Sequence, residues 1–192
     1  MSFDRKKSIL KSASYSFETF GYKATTMEQV AKLAKVSKGT IYNFFKNKDE
    51  LFFEVTKELL MEMKITAEKV IEPEASFGEN THRILFALLE LRNTSSLMIK
   101  LIHEANYFKT PSVIQVMDEL DNMIITIVKE KLQLAIDRKK IKPCDTEITS
   151  FVIIHFYYSL LFDWQQKNPP LSKEKIANLF QQFIVESLLI NN

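Results

Sequence analysis

Apolar residues recur at helical spacing from the start of the chain: Ile9, Ala13, Phe17 and Phe20 share one face of a segment from about Asp4 to Phe20. Gly21 comes next, where a left-handed cap residue ends a helix. Thr25 and Thr26 each offer an N-cap hydroxyl, with Glu28 and Gln29 three residues on, so either one opens a second helix. The inward face of that helix reads Met27, Val30, Ala31 and Ala34, small enough to let another helix approach closely. After a turn at Lys35 and Val36, Ser37 caps a short third helix that runs to Phe44 or Phe45. Asn47 with Glu50 forms another capping box and opens a long fourth helix through Leu51, Val55, Leu59 and Met63 towards Glu72, with Pro73 as its stop.

The remainder keeps the helical period, with segments expected near Asn80 to Arg92, Ser95 to Asn106, Pro111 to Arg138, Thr146 to Gln166 and Lys173 to Ile190. Thr110 is an expected N-cap ahead of Pro111, and Leu171 and Ile176 flank Ser172 as a hydrophobic staple. None of these segments reads as a strand. The expected fold is all-α, with about nine helices: a three-helix N-terminal domain over residues 1–48 and a larger helical domain over 49–192. The boundary falls inside the continuous fourth helix rather than in a flexible linker.

Composition supports this picture. Only Gly21, Gly39 and Gly78 are glycines, which leaves no phosphate-cradling loop. Cys144 is alone, so there is neither an internal disulfide nor a paired-cysteine metal motif, as suits a reducing compartment. Asp4, Arg5, Lys6 and Lys7 lead an amphipathic stretch, unlike a secretory signal, so a cytoplasmic protein is expected. The longest apolar run, Phe151 to Phe162, is well short of the roughly 20 residues that span a bilayer. Net charge is only +2, yet residues 1–50 carry ten Lys/Arg against five acids, and the rest of the chain is mildly acidic. A basic head on an acidic body suits a polyanion-binding module.

Two short helices joined by a tight turn and braced by a longer one form a helix-turn-helix, with the second helix of the pair presented outward to a major groove. The presented helix begins Ser37-Lys38-Gly39-Thr40, small hydrogen-bonding residues around a glycine, a poor helix former. Exposed N–H groups and a glycine that permits close approach suit a phosphate or base edge, with Ser37, Lys38, Thr40, Tyr42 and Asn43 as donors. Taken singly, Ser37 and Asn47 also serve as plain caps, Lys38 as a solvated charge and Tyr42 as a ring packed on the first helix. Capped helices, basic surplus and short turn in one order point to DNA.

The residues Phe17, Gly21-Tyr22, Thr25-Thr26, Val30-Ala31, Ala34, Val36-Ser37, Gly39-Thr40-Ile41-Tyr42, Phe45, Lys48 and Leu51 resemble the N-terminal signature of the tetracycline-repressor (TetR) family, without a gap from residue 9 to 55. One position departs: Lys35 stands where the family usually has the turn glycine, so a lysine is expected to adopt a left-handed conformation at about 1 kcal/mol. The resemblance implies that Lys38, Thr40, Tyr42 and Asn43 lie in or beside the major groove, and that Thr26, Tyr42 and Lys48 hold phosphates. Asn43 suits adenine, Lys38 suits guanine O6/N7, and Thr40 offers a methyl contact. It further implies a ligand-responsive repressor that binds a palindromic operator as a homodimer.

In the larger half, the segment from Phe151 to Trp164 is apolar around its whole circumference, and the last helix adds further large apolar groups. A second subunit is the natural cover, and the expected interface is Phe151, Val152, Phe156, Leu160, Ile176, Leu179, Phe180 and Phe183. A small hydrophobic or amphipathic effector is expected against Phe86, Met98, His103, Glu104, Tyr107, Phe108, Met117, His155, Tyr158 and Trp164. Adjacent His103 and Glu104 need a partner if buried: a cation, a hydrogen-bonding ligand or an internal salt bridge. No catalytic motif, metal site or cofactor is expected, since the three histidines stand outside any HExxH, GxSxG or P-loop pattern. The competing reading is a helical dimeric adaptor or ligand-binding protein without operator binding.

Overall fold

The computed structural model of the chain describes residues 2–94, 97, 104 and 109–190, and every regular element among them is helical. The elements are α1 (Ser2–Ala24), α2 (Met27–Leu33), α3 (Lys38–Phe44), α4 (Lys48–Lys69), α5 (Phe77–Thr94), α6 (Pro111–Asp137), α7 (Thr146–Tyr158) and α8 (Lys173–Phe180). The backbone of α7 widens into a π turn at Ser159–Asp163 and then tightens at Trp164–Gln166, and α8 continues through a π turn at Gln181–Val185 into Glu186–Leu188. The segment expected near Ser95 to Asn106 lies mostly outside the described residues.

Packing divides the chain into two compact units, Met1–Glu62 with Ser95–Leu120, and Met63–Thr94 with Asp121–Asn192. These divisions fall inside α4 and α6. They track packing, whereas the boundary expected at residue 48 is a functional one.

The first unit is built on Ile9, Ala13, Phe17, Val30, Ile41, Phe45, Leu51 and Phe52, all nearly inaccessible to solvent. Phe52 is the hub, its ring 5.0 Å from Phe17 and 4.9 Å from Tyr22, both edge-on. Gly21 breaks the regular path of α1 with φ 79°, and a Cβ there would approach the Glu104 carboxylate to 3.1 Å. The chain therefore turns at the glycine but resumes a helical turn to Ala24.

The second unit is centred on Leu85, Leu89, Leu132, Ile141, Leu161, Ile176, Phe180 and Ile184. Asp145 caps α7 by accepting from the N–H groups of Glu147 and Ile148, each at 3.0 Å, and Ser172 caps α8 through Lys175 N–H at 3.2 Å. Leu171 and Ile176 both join this core, as a hydrophobic staple does.

Two expected helix ends are corrected. The fourth helix stops at Lys69, so Pro73 lies beyond a helix that has already ended rather than breaking it. Thr110 precedes α6 as expected, but its hydroxyl is buried without a hydrogen bond among the described residues, and its carbonyl receives the N–H groups of Val113 and Ile114, each at 3.0 Å.

Candidate nucleic-acid interface

Of the two threonines ahead of α2, Thr26 is the cap, accepting from Gln29 N–H at 3.1 Å on an exposed surface. Thr25 is fully buried and donates to the Gly21 carbonyl at 2.8 Å, tying the break in α1 to the start of α2. The end of α2 closes as a Schellman motif: Lys35 N–H reaches Lys32 O at 3.2 Å, and Val36 N–H reaches Ala31 O at 3.0 Å. Lys35 occupies the left-handed position, φ 55°, as expected where glycine is absent. Ser37 caps α3 by accepting from Thr40 N–H at 3.1 Å, and the two hydroxyls lie 2.8 Å apart.

Ile41 turns inward and is fully buried, which leaves Ser37, Lys38, Gly39, Tyr42 and Asn43 exposed on the opposite side of α3, with Thr40 half-buried. Nothing among the described residues requires glycine at 39: an added Cβ would meet only Ser37 Oγ there, at an ordinary 3.9 Å. The Lys38 ammonium lies 2.5 Å from Glu28 Oε1 in the first turn of α2 and 5.9 Å from the Tyr42 ring centroid. Their hydrogen bond holds the Glu28 carboxyl below its usual range and raises the Lys38 ammonium.

Lys48, expected as a phosphate contact, has a structural task as well. Its ammonium donates to Tyr22 O at 2.9 Å and Thr25 O at 3.1 Å and sits 4.1 Å from the Tyr22 ring centroid. Burial pushes its pKa down. An ammonium has three N–H donors, and these two carbonyls take two of them. At the same corner the Tyr22 hydroxyl donates to Asp49, and Glu50 closes a box with Asn47 and the N–H of Lys46.

Glu104, expected against a ligand, is corrected by its contacts. The carboxylate is buried, its Oε2 accepting from Tyr22 N–H at 2.7 Å and its Oε1 from Lys23 N–H at 3.1 Å. Its partner is thus a pair of backbone amides beyond Gly21, which sequence spacing does not reveal across some eighty residues. Glu28, expected as a capping partner, pairs with Lys38 instead, and neither this pair nor Tyr22–Asp49 follows from spacing, although the short turn between α2 and α3 brings the first turns of those helices together.

The expected effector contacts are scattered. Met98, His103, Tyr107 and Phe108 lie outside the described residues. Met117 is half-buried in the first unit; Phe86 in the second packs on the core and stacks on His82 at 4.5 Å. The Tyr158 hydroxyl donates to Asp121 at 2.9 Å, and burial raises its pKa. His155 and Trp164 are exposed, His155 stacked on Phe151 at 3.9 Å and Trp164 donating to Pro169 O at 3.0 Å. A hollow of about 430 Å³ is lined by Leu89, Pro170, Leu171, Ser172, Lys173, Glu174 and Ile176, none of them expected effector contacts.

The expected interface residues also separate. Ile176 and Phe180 are 1% and 4% exposed and belong to the core of the second unit. Phe156, Leu160 and Leu179 are half-buried. Phe151, Val152 and Phe183 are 50%, 47% and 56% exposed, and Ile148, not among the expected interface residues, reaches 63%. Ile148, Phe151, Val152 and His155 form one stripe on α7.

Residues 9–55 match the family described as bacterial regulatory proteins, tetR family. Over 191 residues, and 100% of both chains, the sequence is 50% identical to YhgD, an HTH-type transcriptional regulator of Bacillus subtilis (strain 168). The fold is similar to that of a TetR-family transcriptional regulator from Syntrophomonas wolfei, at TM-score 0.81 and 16% identity over 100% of both chains. A TetR-family regulator from Rhodococcus sp. superimposes with TM-score 0.79 and 17% identity, over 99% of this chain and 100% of that one. The chain belongs to the TetR family of DNA-binding transcriptional regulators.

Proposed function

We propose that this regulator is a repressor that binds a palindromic operator as a homodimer and is released by a small, largely apolar effector. Residues 1–48 act as the DNA-binding domain and 49–192 as the effector-binding and dimerisation domain. The observation that supports the reading best is the exposed N-terminal turn of α3, where Gly39 has open space beside Ser37, Lys38, Tyr42 and Asn43. A major groove admits that turn, and Thr26, Tyr42 and Lys48 flank it as phosphate contacts. The Ile148–His155 stripe with Phe183 supplies a self-complementary apolar face, and a two-fold dimer matches two half-sites one helical turn apart.

Phe86 and Tyr158 are the apolar wall and polar handle proposed for the effector. An effector that prefers the conformation in which the two heads are mis-spaced lowers operator affinity by its differential affinity for that state. The experiment is selection of bound fragments from genomic DNA, then footprinting across a salt series and a measurement of molar mass. A dimer with a palindromic, salt-dependent footprint supports the reading. A dimer without a footprint is the adaptor instead, and an apolar compound that binds without changing operator affinity removes the regulatory part.

A further inference from the structure

Between residues 19 and 48 the chain carries six lysines and a single acid, Glu28. Lys38 is the only charged residue of α3. These two are the ones that meet, with 2.5 Å between Lys38 Nζ and Glu28 Oε1, their side chains 64% and 54% exposed. So exposed a pair contributes little to folding stability. A carboxylate on a face that meets a polyanion also opposes binding of DNA in general. Beyond the few tenths of a kcal/mol that an acid gains in the first turn of α2, neither stability nor affinity accounts for pairing one with Lys38 on this face.

The major-groove edge of a G·C pair does. Guanine presents two acceptors, N7 and O6, and cytosine beside them presents the N4 donor. The exposed pair presents the complement: a cation with an acceptor next to it, the cation 5.9 Å from the centroid of the Tyr42 ring. On an A·T pair the same carboxylate would face thymine O4, acceptor against acceptor. We propose that Glu28 is a specificity-determining residue, which forms with Lys38 a two-part reader of one G·C pair in each half-site. The ammonium takes guanine O6/N7 and the carboxylate accepts from cytosine N4. This rests on the reading that the N-terminal end of α3 enters the major groove.

The test is enrichment of sites from a random-sequence DNA library by the full-length protein, by Glu28→Ala, by Lys38→Ala and by the double variant, with thermal unfolding of each. Wild type should enrich a site with a fixed G·C column in each half. Glu28→Ala should weaken discrimination at that column about tenfold, leave the other columns in place, raise affinity for random DNA and lower its melting temperature by no more than about 2 °C. Lys38→Ala should flatten the same column, and the double variant should flatten it no further. A Glu28→Ala protein that keeps the column, a wild-type site without such a column, or an even loss at every column with reduced stability each overturns the proposal. Should wild type enrich nothing and bind without salt dependence, the major-groove reading of α3 falls, and this one with it.

Discussion

In the head, helix starts and ends rest on side chains that close hydrogen bonds a few residues away: Thr26 to Gln29, Ser37 to Thr40, Asn47 to Glu50. In the second unit Asp145 and Ser172 do the same for α7 and α8, but beyond its cap α7 is apolar on nearly every side, α8 buries one apolar face and keeps a polar one, and both widen into a π turn. Local polar contacts define a surface residue by residue, so the exposed side of α3 is set almost directly by spacing. Apolar burial defines only that a face is covered, not by what. Phe180 and Phe183 show this, three residues apart on one helix and 4% and 56% exposed.

The largest test of that contrast is the pair itself. Phe180→Ala should cost about 3–5 kcal/mol in urea unfolding, as a buried aromatic does, whereas Phe183→Ala should cost under about 1 kcal/mol. Sedimentation should instead show Phe183→Ala displacing the proposed dimer towards monomer. Equal stability losses from the two would mean that α8 has no surface of its own.

Next in size is Glu104. Glu104→Ala should cost about 2–3 kcal/mol, because two backbone amides beyond Gly21 lose a charged acceptor, and Glu104→Gln should recover part of this. Lys48→Ala should rank after it, with affinity for every DNA sequence falling about tenfold, the salt slope flattening by about one and the head losing stability as the Tyr22 and Thr25 carbonyls lose their donor. A slope that stays unchanged while stability falls would leave Lys48 a structural residue only.

The same contrast decides what could be read from the sequence. Gly21, Thr26, Ser37, Lys35 and Asn47 were legible because each acts on neighbours within five residues, where residue type alone sets the geometry. Glu104 was legible as a residue needing a partner but not as the partner of Tyr22 and Lys23, since that contact depends on the tertiary fold. The exposed apolar face was less legible: a period of 3.6 counted through Ser159–Asp163 or Gln181–Val185 loses register at the π turn, so buried Ile176 and Phe180 share a sequence period with exposed Phe183.

Tyr22 gives a smaller, pH-dependent test within the head. Burial and the hydrogen bond to Asp49 push its hydroxyl from the ordinary 10.0 to about 12. The folded state thus favours the protonated phenol, and this stabilisation is complete below pH 10 and is lost as pH rises through about 12. Because the hydroxyl reaches an exposed carboxylate, solvent reduces the effect to about 1 kcal/mol. Urea midpoints at about pH 9 and pH 11.5 should converge for Tyr22→Phe relative to wild type; a constant difference between them would contradict the assigned shift.

The smallest effect concerns a device that both units share. Lys35 ends α2 and Lys139 ends α6 in the same left-handed conformation, φ 55°, each succeeded by the long backbone hydrogen bond of a Schellman turn, Val36 N–H to Ala31 O and Lys140 N–H to Ala135 O. Glycine at either position removes the Cβ strain, about 1 kcal/mol, but its freer unfolded chain returns part of that. Lys35→Gly and Lys139→Gly should therefore each raise the unfolding free energy by about 0.5 kcal/mol. A lysine at the C-terminal end of a helix also faces the negative end of its dipole, which argues for retaining the cation despite the strain. Salt dependence of DNA binding separates the two positions. If Lys35→Gly flattens the slope by about one and Lys139→Gly does not, the strained lysine of the head is kept for phosphate; if neither does, both are helix-end charges, and the difference between the units does not extend to their turns.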